Sequence, residues 1–373
     1  MSNSNPILKH TEEGTPSEES LLDIGLRSIE KVTRVVHGAG DSSQLVELFR
    51  ALGEPLRDRV LSGPAHDSQL FFNRCPFDIS IAIGGPSPSI RFEIETQTAK
   101  PSLREYNRAA ETSIRNTSDQ FGLDPSIFEQ IRDILGHEWS IHPSGRISAA
   151  GELYAKAYIM RHYRFEHAFV RWREVFTLLG HESAIASLEH VLATGFEIGV
   201  IAVDILPHGQ KPTIEVYIAT GPPRLIDQAE LERLGEAGIG YVQGDATKFV
   251  ESLLGSPPWW GGIYCPVLVS YVVGSDSIVA PTFFVPFPVK EGDRLLDDQE
   301  VSNRVRRTLS LFGLPDDPYN LALDALAERP LSETSSLHYF VGLRHHNGKP
   351  LIATYFTPPI FGEHIGNSLP IEV

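Results

Sequence analysis

Hydrophobic and polar positions along this chain follow two alternating periods. From residue 20 the period is helical: Leu22, Leu26, Ile29 and Val36 fall on one face, and Ser20 stands where an N-cap is needed. A second helix is predicted near Ser43–Leu52, with Leu45, Leu48 and Leu52 on one side. Pairs of strand-like runs then alternate with helical runs. The predicted pairs are Phe77–Ile83 with Ser89–Gln97, an irregular stretch around Trp139–Ala149 with Leu153–Met160, and Phe196–Leu206 with Thr213–Ala219. Ile263–Val272 with Ile278–Phe287 and Leu337–Arg344 with Pro350–Phe356 complete the set. Asn347-Gly348 in the last connection is a strong hairpin signal. Helical stretches are predicted near Leu103–Asn116, Phe165–Leu179, Leu225–Leu234, Val301–Phe312 and Leu321–Glu328.

Five hairpins imply about ten antiparallel strands, and a sheet that large must curl or close. The strands carry polar residues at every second position. Arg91, Glu93, Glu95 and Gln97 share one face, against Ile90, Phe92, Ile94 and Thr96 on the other. Thr213, Glu215 and Tyr217 share a face, as do Lys156 and Tyr158. If helices cover the apolar face, the polar face lines a solvated interior. The alternative is a half-exposed sheet with an ordinary polar surface. Either way the class is α+β. Residues 1–19 carry almost nothing to bury and are expected to be a disordered tail, leaving 20–373 as a single domain.

Composition narrows the function. With 41% hydrophobic and 21% charged residues, the chain can bury a sizeable core. Acids outnumber bases 48 to 32, for a formal charge of −16, which disfavours nucleic-acid and anionic-membrane partners. No apolar run reaches the length of a bilayer span, and the N-terminus has no basic region followed by an apolar stretch. Cys75 and Cys265 are too few for a disulfide framework or a Cys-rich zinc site. The expected location is the reducing cytoplasm, with the protein a monomer or homodimer.

Several short motifs occur in an informative order. They are Pro76-Phe77-Asp78-Ile79-Ser80 followed by Ser89-Ile90-Arg91-Phe92-Glu93-Ile94-Glu95, then Ala155-Lys156-Ala157-Tyr158. Gly199–Asp204 with Thr213–Tyr217, Val285-Pro286 and Thr354-Tyr355-Phe356-Thr357-Pro358 follow. Over residues 65 to 360 this series resembles the aromatic prenyltransferases of the dimethylallyltryptophan synthase type. Their fold, the ABBA barrel, has ten antiparallel strands inside and helices outside, and the length here suits the bacterial branch. The resemblance implies transfer of a prenyl group, dimethylallyl or longer, from a prenyl diphosphate to an aromatic acceptor, usually an indole. It implies no cofactor and no metal, and the chain has no DDxxD run.

The same resemblance suggests site residues. Arg91 and Lys156 match two phosphate-binding cations of the family; an Arg fork suits phosphate oxygens and a Lys supplies a point charge. Either Glu93 or Glu95 can serve as the resting counter-charge of Arg91. Tyr158, Tyr217 and Tyr355 lie at or near the family's tyrosine shield, which protects an allylic cation through ring quadrupoles and can bond the diphosphate. Asp78 stands where the family has a catalytic Glu that accepts the indole N–H. The proton-accepting base stays open, with His142 and Arg146 in the right region.

The chain also departs from the family pattern. The third hairpin usually carries Arg-x-Lys-x-Tyr, but here it reads Thr213-Ile214-Glu215-Val216-Tyr217. The fourth has Thr282 and Phe284 where a polar residue and a Tyr are usual. Thr213, Glu215, Thr282 and Phe284 are therefore expected to line the tunnel without replacing the lost cations. A carboxylate about 5 Å from a phosphate is repelled by about 3 kcal/mol at an effective dielectric of about 20. Lys211 or Arg224 can compensate, or Glu215 can pair with Lys156, or transfer is lost and the barrel binds or cyclises an aromatic metabolite. Trp259-Trp260 reads as a packed loop, and Arg304-Val305-Arg306-Arg307 as a solvated helix end.

Overall fold

Ten long strands alternate apolar and polar side chains, and that alternation closes the sheet. In the computed structural model, which describes residues 19–38, 42–61, 68, 73–98, 102–136, 139–147, 152–161, 171–220, 225–257, 259–260, 268–274, 277–287, 290–291 and 294–361, they form a closed barrel. In chain order, β1 (Phe77–Ile83) and β2 (Ser89–Ile94) are followed by β3 (Trp139–Ile147), β4 (Leu153–Arg161), β5 (Phe196–Ile205) and β6 (Ile214–Thr220). Next come the short strands β7 (Leu225–Ile226) and β8 (Trp259–Trp260), which pair with each other. The barrel resumes with β9 (Leu268–Val273) and β10 (Ile278–Pro286); β11 (Lys290–Glu291) and β12 (Arg294–Leu295) form a second small ladder. The last barrel strands are β13 (His338–His346) and β14 (Lys349–Phe356), and β14 pairs with β1 to close the ring. Every barrel pairing is antiparallel, and closure of the ring leaves no barrel strand with an open edge.

The apolar face points outward, under helices. Phe77, Ile79, Ile81, Ile90, Phe92 and Ile94 join one core cluster with residues of α1 (Leu21–His37) and α2 (Ser42–Leu52). Phe49 of α2 meets the rings of Phe77 and Phe92 at 5.6 and 4.9 Å. A Cβ on Gly145 would lie 2.5 Å from Leu48 Cδ2, so only glycine lets α2 approach β3 this closely. Ser20 caps α1 as expected, accepting the Asp23 N–H at 3.1 Å. Asn347 and Gly348 both take positive φ, 52° and 71°, as the tight β13–β14 turn requires.

The helices differ in detail from their prediction. The long α3 (Leu103–Phe121) is followed by α4 (Ser126–Leu135), α5 (Trp172–Leu178) and α6 (Glu182–Leu192). Beyond them lie α7 (Gln228–Glu236), α8 (Asp245–Leu254), α9 (Asp298–Leu311) and α10 (Asp317–Leu326). Helices α4, α6 and α8 had no sequence prediction. Leu225, expected to start a helix, is in β7, and the Trp259-Trp260 pair is a short strand and not a loop. The irregular stretch expected before β4 is a regular nine-residue strand. Expected elements over residues 165–170 and 263–267, and the tail 1–18, lie outside the described residues. Arg304 and Arg307 are not a solvated end: they donate to the carbonyls of Leu253 and Ser252 at 2.6 and 2.7 Å, tying α9 to α8.

Candidate active site

Side chains between the apolar positions point into the barrel. Register places Ser80 beside both Arg91 and Tyr355, Lys156 beside Asp204, and Tyr217 beside Ser270. Three register shifts change which residues face inward. Near Gly199, β5 passes from Ile198, packed in the outer core, to Val200 in the lumen. Further shifts lie between Val279 and Thr282 and between His338 and Phe340. Beyond its shift β13 points Phe340, Gly342 and Arg344 inward, while His338 faces Asp298 and Tyr319 outside.

The lumen is aromatic on one side. The rings of Tyr158 and Tyr217 lie 5.9 Å apart, those of Tyr217 and Phe284 5.7 Å, and those of Phe284 and Tyr355 6.0 Å. Phe340 extends this wall, 6.2 Å from both Phe284 and Tyr355. Gly342 leaves room for Phe284, since a Cβ there would approach its ring to 3.0 Å. Beside the wall lies a narrow cavity of about 10 Å³, bordered by Arg91, Glu215, Thr282 and Arg344.

Cations gather at the same level. Lys156 Nζ lies 3.0 Å from Glu215 Oε2, 3.5 Å from Asp204 Oδ1 and 5.8 Å from the Tyr158 ring centroid. Glu215 also accepts from Ser270 Oγ at 2.8 Å. Burial works against the Glu215 charge, but Lys156, Arg344 and these hydrogen bonds outweigh it and hold the carboxyl down at about 2. Arg146 lies 3.9 Å from Asp204 and stacks on Tyr154 at 4.7 Å. Burial lowers the Arg344 pKa, and repulsion from Arg91 and Arg146 adds to the effect against the pull of Glu215. Cations held close enough to repel one another are a standing site for an anion.

Acidic groups occupy the neighbouring positions. Asp78 on β1 and Glu93 on β2 are register partners on the lumenal face, and Asp78 is 3% exposed. Asp78 Oδ1 accepts the Glu93 N–H at 3.0 Å. Burial pushes the Asp78 carboxyl up to about 8, against that hydrogen bond and the charge of Arg91. Burial and the Asp78 charge likewise raise Glu93. On β3, His142 lies opposite Tyr158, and neither ring nitrogen has a hydrogen-bond partner among the described residues. Burial lowers its pKa to about 3.

The structure brings Asp78, Arg91, Lys156, Tyr158, Glu215, Tyr217, Thr282, Phe284 and Tyr355 into one lumen. Thr213 lies just before β6, beside Asp204, whose N–H its carbonyl accepts at 3.0 Å. Glu95 and Gln97, expected inward beside Arg91, lie beyond the end of β2, where the chain turns towards α3 and Thr96 bonds the Tyr106 carbonyl. Around Arg91 the tyrosines Tyr355 and Tyr158, then the Glu215 carboxylate, favour its charge. Lys211 is exposed and does not replace the lost cations, and Arg224 lies outside the described residues. Arg344 was missed by the sequence reading; its signal was a lone Arg in step with Phe340 and Gly342 on the last hairpin. Among the described residues no group of three or more His, Cys, Asp or Glu is placed to hold a metal ion. No helix among them is long and apolar enough to cross a membrane.

No family model matches the chain. Solved structures do match it along nearly its whole length. The 6-dimethylallyltryptophan synthase of Micromonospora olivasterospora, solved with DMASPP and Trp, superposes with a TM-score of 0.80 at 20% identity, covering 92% of this chain and 99% of that one. The 5-dimethylallyl tryptophan synthase of Streptomyces coelicolor, also with DMASPP and Trp, gives 0.74 at 18% identity, covering 92% and 97%. AnaPT from Neosartorya fischeri gives 0.70 at 13% identity, covering 91% and 93%. With its closed ring of ten antiparallel strands inside a coat of helices, the chain has the ABBA barrel fold of the dimethylallyltryptophan synthases.

Proposed function

We propose that this protein transfers a prenyl group, dimethylallyl or longer, from a prenyl diphosphate to an indole or tryptophan-derived acceptor by electrophilic aromatic substitution, without a metal. The donor C–O bond ionises to an allylic cation and diphosphate. Arg91, Lys156 and Arg344 receive the diphosphate, with the hydroxyls of Tyr158, Tyr217 and Tyr355 as further donors. Arg344 takes over the charge that the third hairpin lacks, from the opposite side of Glu215. The wall of Tyr158, Tyr217, Phe284 and Tyr355 shields the cation, each desolvated ring contact contributing about 2 kcal/mol. Asp78 accepts the indole N–H as positive charge develops on the ring. Being one methylene shorter than Glu, it draws the acceptor closer to β1.

The observation that carries this reading is the placement of Arg91 and Arg344 on the same cavity as an unbroken aromatic wall. The DMASPP and Trp bound by two of the superposed enzymes supply the substrate class. The test is to incubate purified protein with dimethylallyl diphosphate and L-tryptophan in EDTA, then measure product mass. The expected product is tryptophan with one hydrogen replaced by a dimethylallyl group.

One observation favours a second reading. Lys156 is already engaged by Glu215 and Asp204, which suits a barrel that binds or cyclises an aromatic metabolite without prenyl transfer. Saturable binding of an indole with no product from a panel of prenyl diphosphates and indole acceptors would establish it.

A further inference from the structure

The two carboxyls at the β1–β2 seam are unlike the other lumenal acids. Glu215 and Asp204 each lie within 4 Å of a cationic nitrogen. Asp78 and Glu93 instead face each other in register, which puts their Cβ atoms about 5 Å apart. The backbone fixes one of them, because the Glu93 N–H bonds Asp78 Oδ1. We infer that Asp78 and Glu93 form one acid–base unit sharing a single proton, and that Glu93 takes the ring proton in the final step of the reaction. The ring-proton step rests on the transferase reading above.

Two carboxyls on facing residues, one buried and one part-buried, do not both ionise easily. Asp78, holding a backbone N–H and near Arg91, is the better placed to keep the charge. The other charged or titratable groups around the pair are Arg91 and Glu95 from the β2 segment, His142 and Arg146 on β3, Lys156 and Tyr158 on β4, Glu215 on β6 and Tyr355 on β14. Lys156 favours the ionised form of Glu93, whereas Asp78 and Glu95 oppose it.

The step balances within the site. The donor's C–O electron pair leaves with diphosphate, and the allylic carbon bonds a ring carbon using a ring electron pair. That ring carbon becomes tetrahedral. Its C–H bond then breaks and the electrons restore aromaticity; Glu93 takes the ring proton as its own proton passes to the Asp78 carboxylate. With both carboxyls protonated, the unit returns one proton to the departing diphosphate or to solvent. Asp78 at the N–H and Glu93 beside it bracket the acceptor from one wall, next to the strand that carries Tyr355.

Two measurements test this. Carbon-13 NMR of carboxyl-labelled Asp and Glu in the ligand-free, full-length protein should show the pair titrating in two separate steps, the upper one well above the ordinary carboxylate range. Asp78→Asn should bring the Glu93 step down, and Glu93→Gln should bring the Asp78 step down. A Glu93 that ionises in the ordinary range, or ignores Asp78→Asn, overturns the pair. Kinetically, Glu93→Gln should lower kcat by about 100-fold with little change in donor KM. With indole-ring-deuterated tryptophan, a primary isotope effect near one in the wild type should rise in that variant, because proton removal has become slow. Glu93→Asp should recover part of the rate. An unchanged rate, or a slow variant with no isotope effect, overturns the role of Glu93 as base. A wild type that makes no product with any acceptor overturns the transfer reading and that role together, while the NMR titration still decides the pair.

Discussion

Asp78 shows how burial and function pull against each other at one residue. Burial raises its carboxyl from an ordinary 3.8 to about 8 and raises its partner Glu93 as well, so the folded barrel holds on this pair a proton that the unfolded chain releases. Stability from this group is therefore greatest at low pH and falls as pH climbs from about 4 to about 8. Asp78→Asn removes that cost. The variant should melt at a higher temperature than wild type at pH 8, with the gap closing towards pH 4, while turnover falls by about 100-fold. A variant less stable than wild type at pH 8, or equally active, would contradict this assignment. Glu215 makes the opposite prediction for binding. It sets a negative charge among the cations, and Glu215→Gln should tighten prenyl diphosphate binding by at least about tenfold, worth about 1.4 kcal/mol. Calorimetric titration with a non-hydrolysable donor analogue checks it, and weaker binding would mean that Glu215 positions Lys156 for the ligand. The pairing of Glu215 with Lys156 was foreseeable once both were assigned to the lumen face. Arg344 was not, because its importance depends on Arg91 and Glu215, which are far away in sequence.

Among the elements, the strands were far more legible than the helices. Period-two alternation gave four hairpins and the second strand of the remaining one, because one face packs on helices and the other faces a polar lumen. It failed where an extra residue changes parity. Strict alternation puts His338 inside with Phe340, but the irregularity at Tyr339 turns it outward to Asp298. The helices that escaped prediction, α4, α6 and α8, all begin without a side-chain cap, at Pro125, His181 and Gly244. The predicted α1 and α9 begin with capping Ser20 and Asp297, whereas α5 and α10, uncapped at Arg171 and Asp316, were legible from apolar spacing alone. Outside the barrel, Asp298 at the start of α9 accepts the backbone N–H groups of Leu337 and His338 and faces His338 Nδ1 at 2.7 Å. Tyr319 of α10 meets the other ring nitrogen at 2.8 Å. This buried chain joins two helices to β13, and Asp298→Ala should cost about 3–5 kcal/mol by stranding its partners. Chemical denaturation measures it, and a loss below about 1 kcal/mol would show that the contact is dispensable.

At the scale of the molecule, a closed ring removes every barrel edge and turns the polar faces of ten strands into one lined interior. That ring was legible in the number of hairpins and in motifs whose order resembles a known family. How narrow the lumen is was not, because side-chain volume across a barrel depends on which residues face one another. The account turns on the cations of that interior being a diphosphate site. The most direct test is isothermal titration of dimethylallyl thiolodiphosphate, an unreactive donor, into wild type and into Arg91→Ala and Arg344→Ala variants of verified fold. The account predicts binding by the wild type and at least about a hundredfold loss in each variant, some 3 kcal/mol. Equal affinity in all three proteins, or no binding by the wild type, would contradict it.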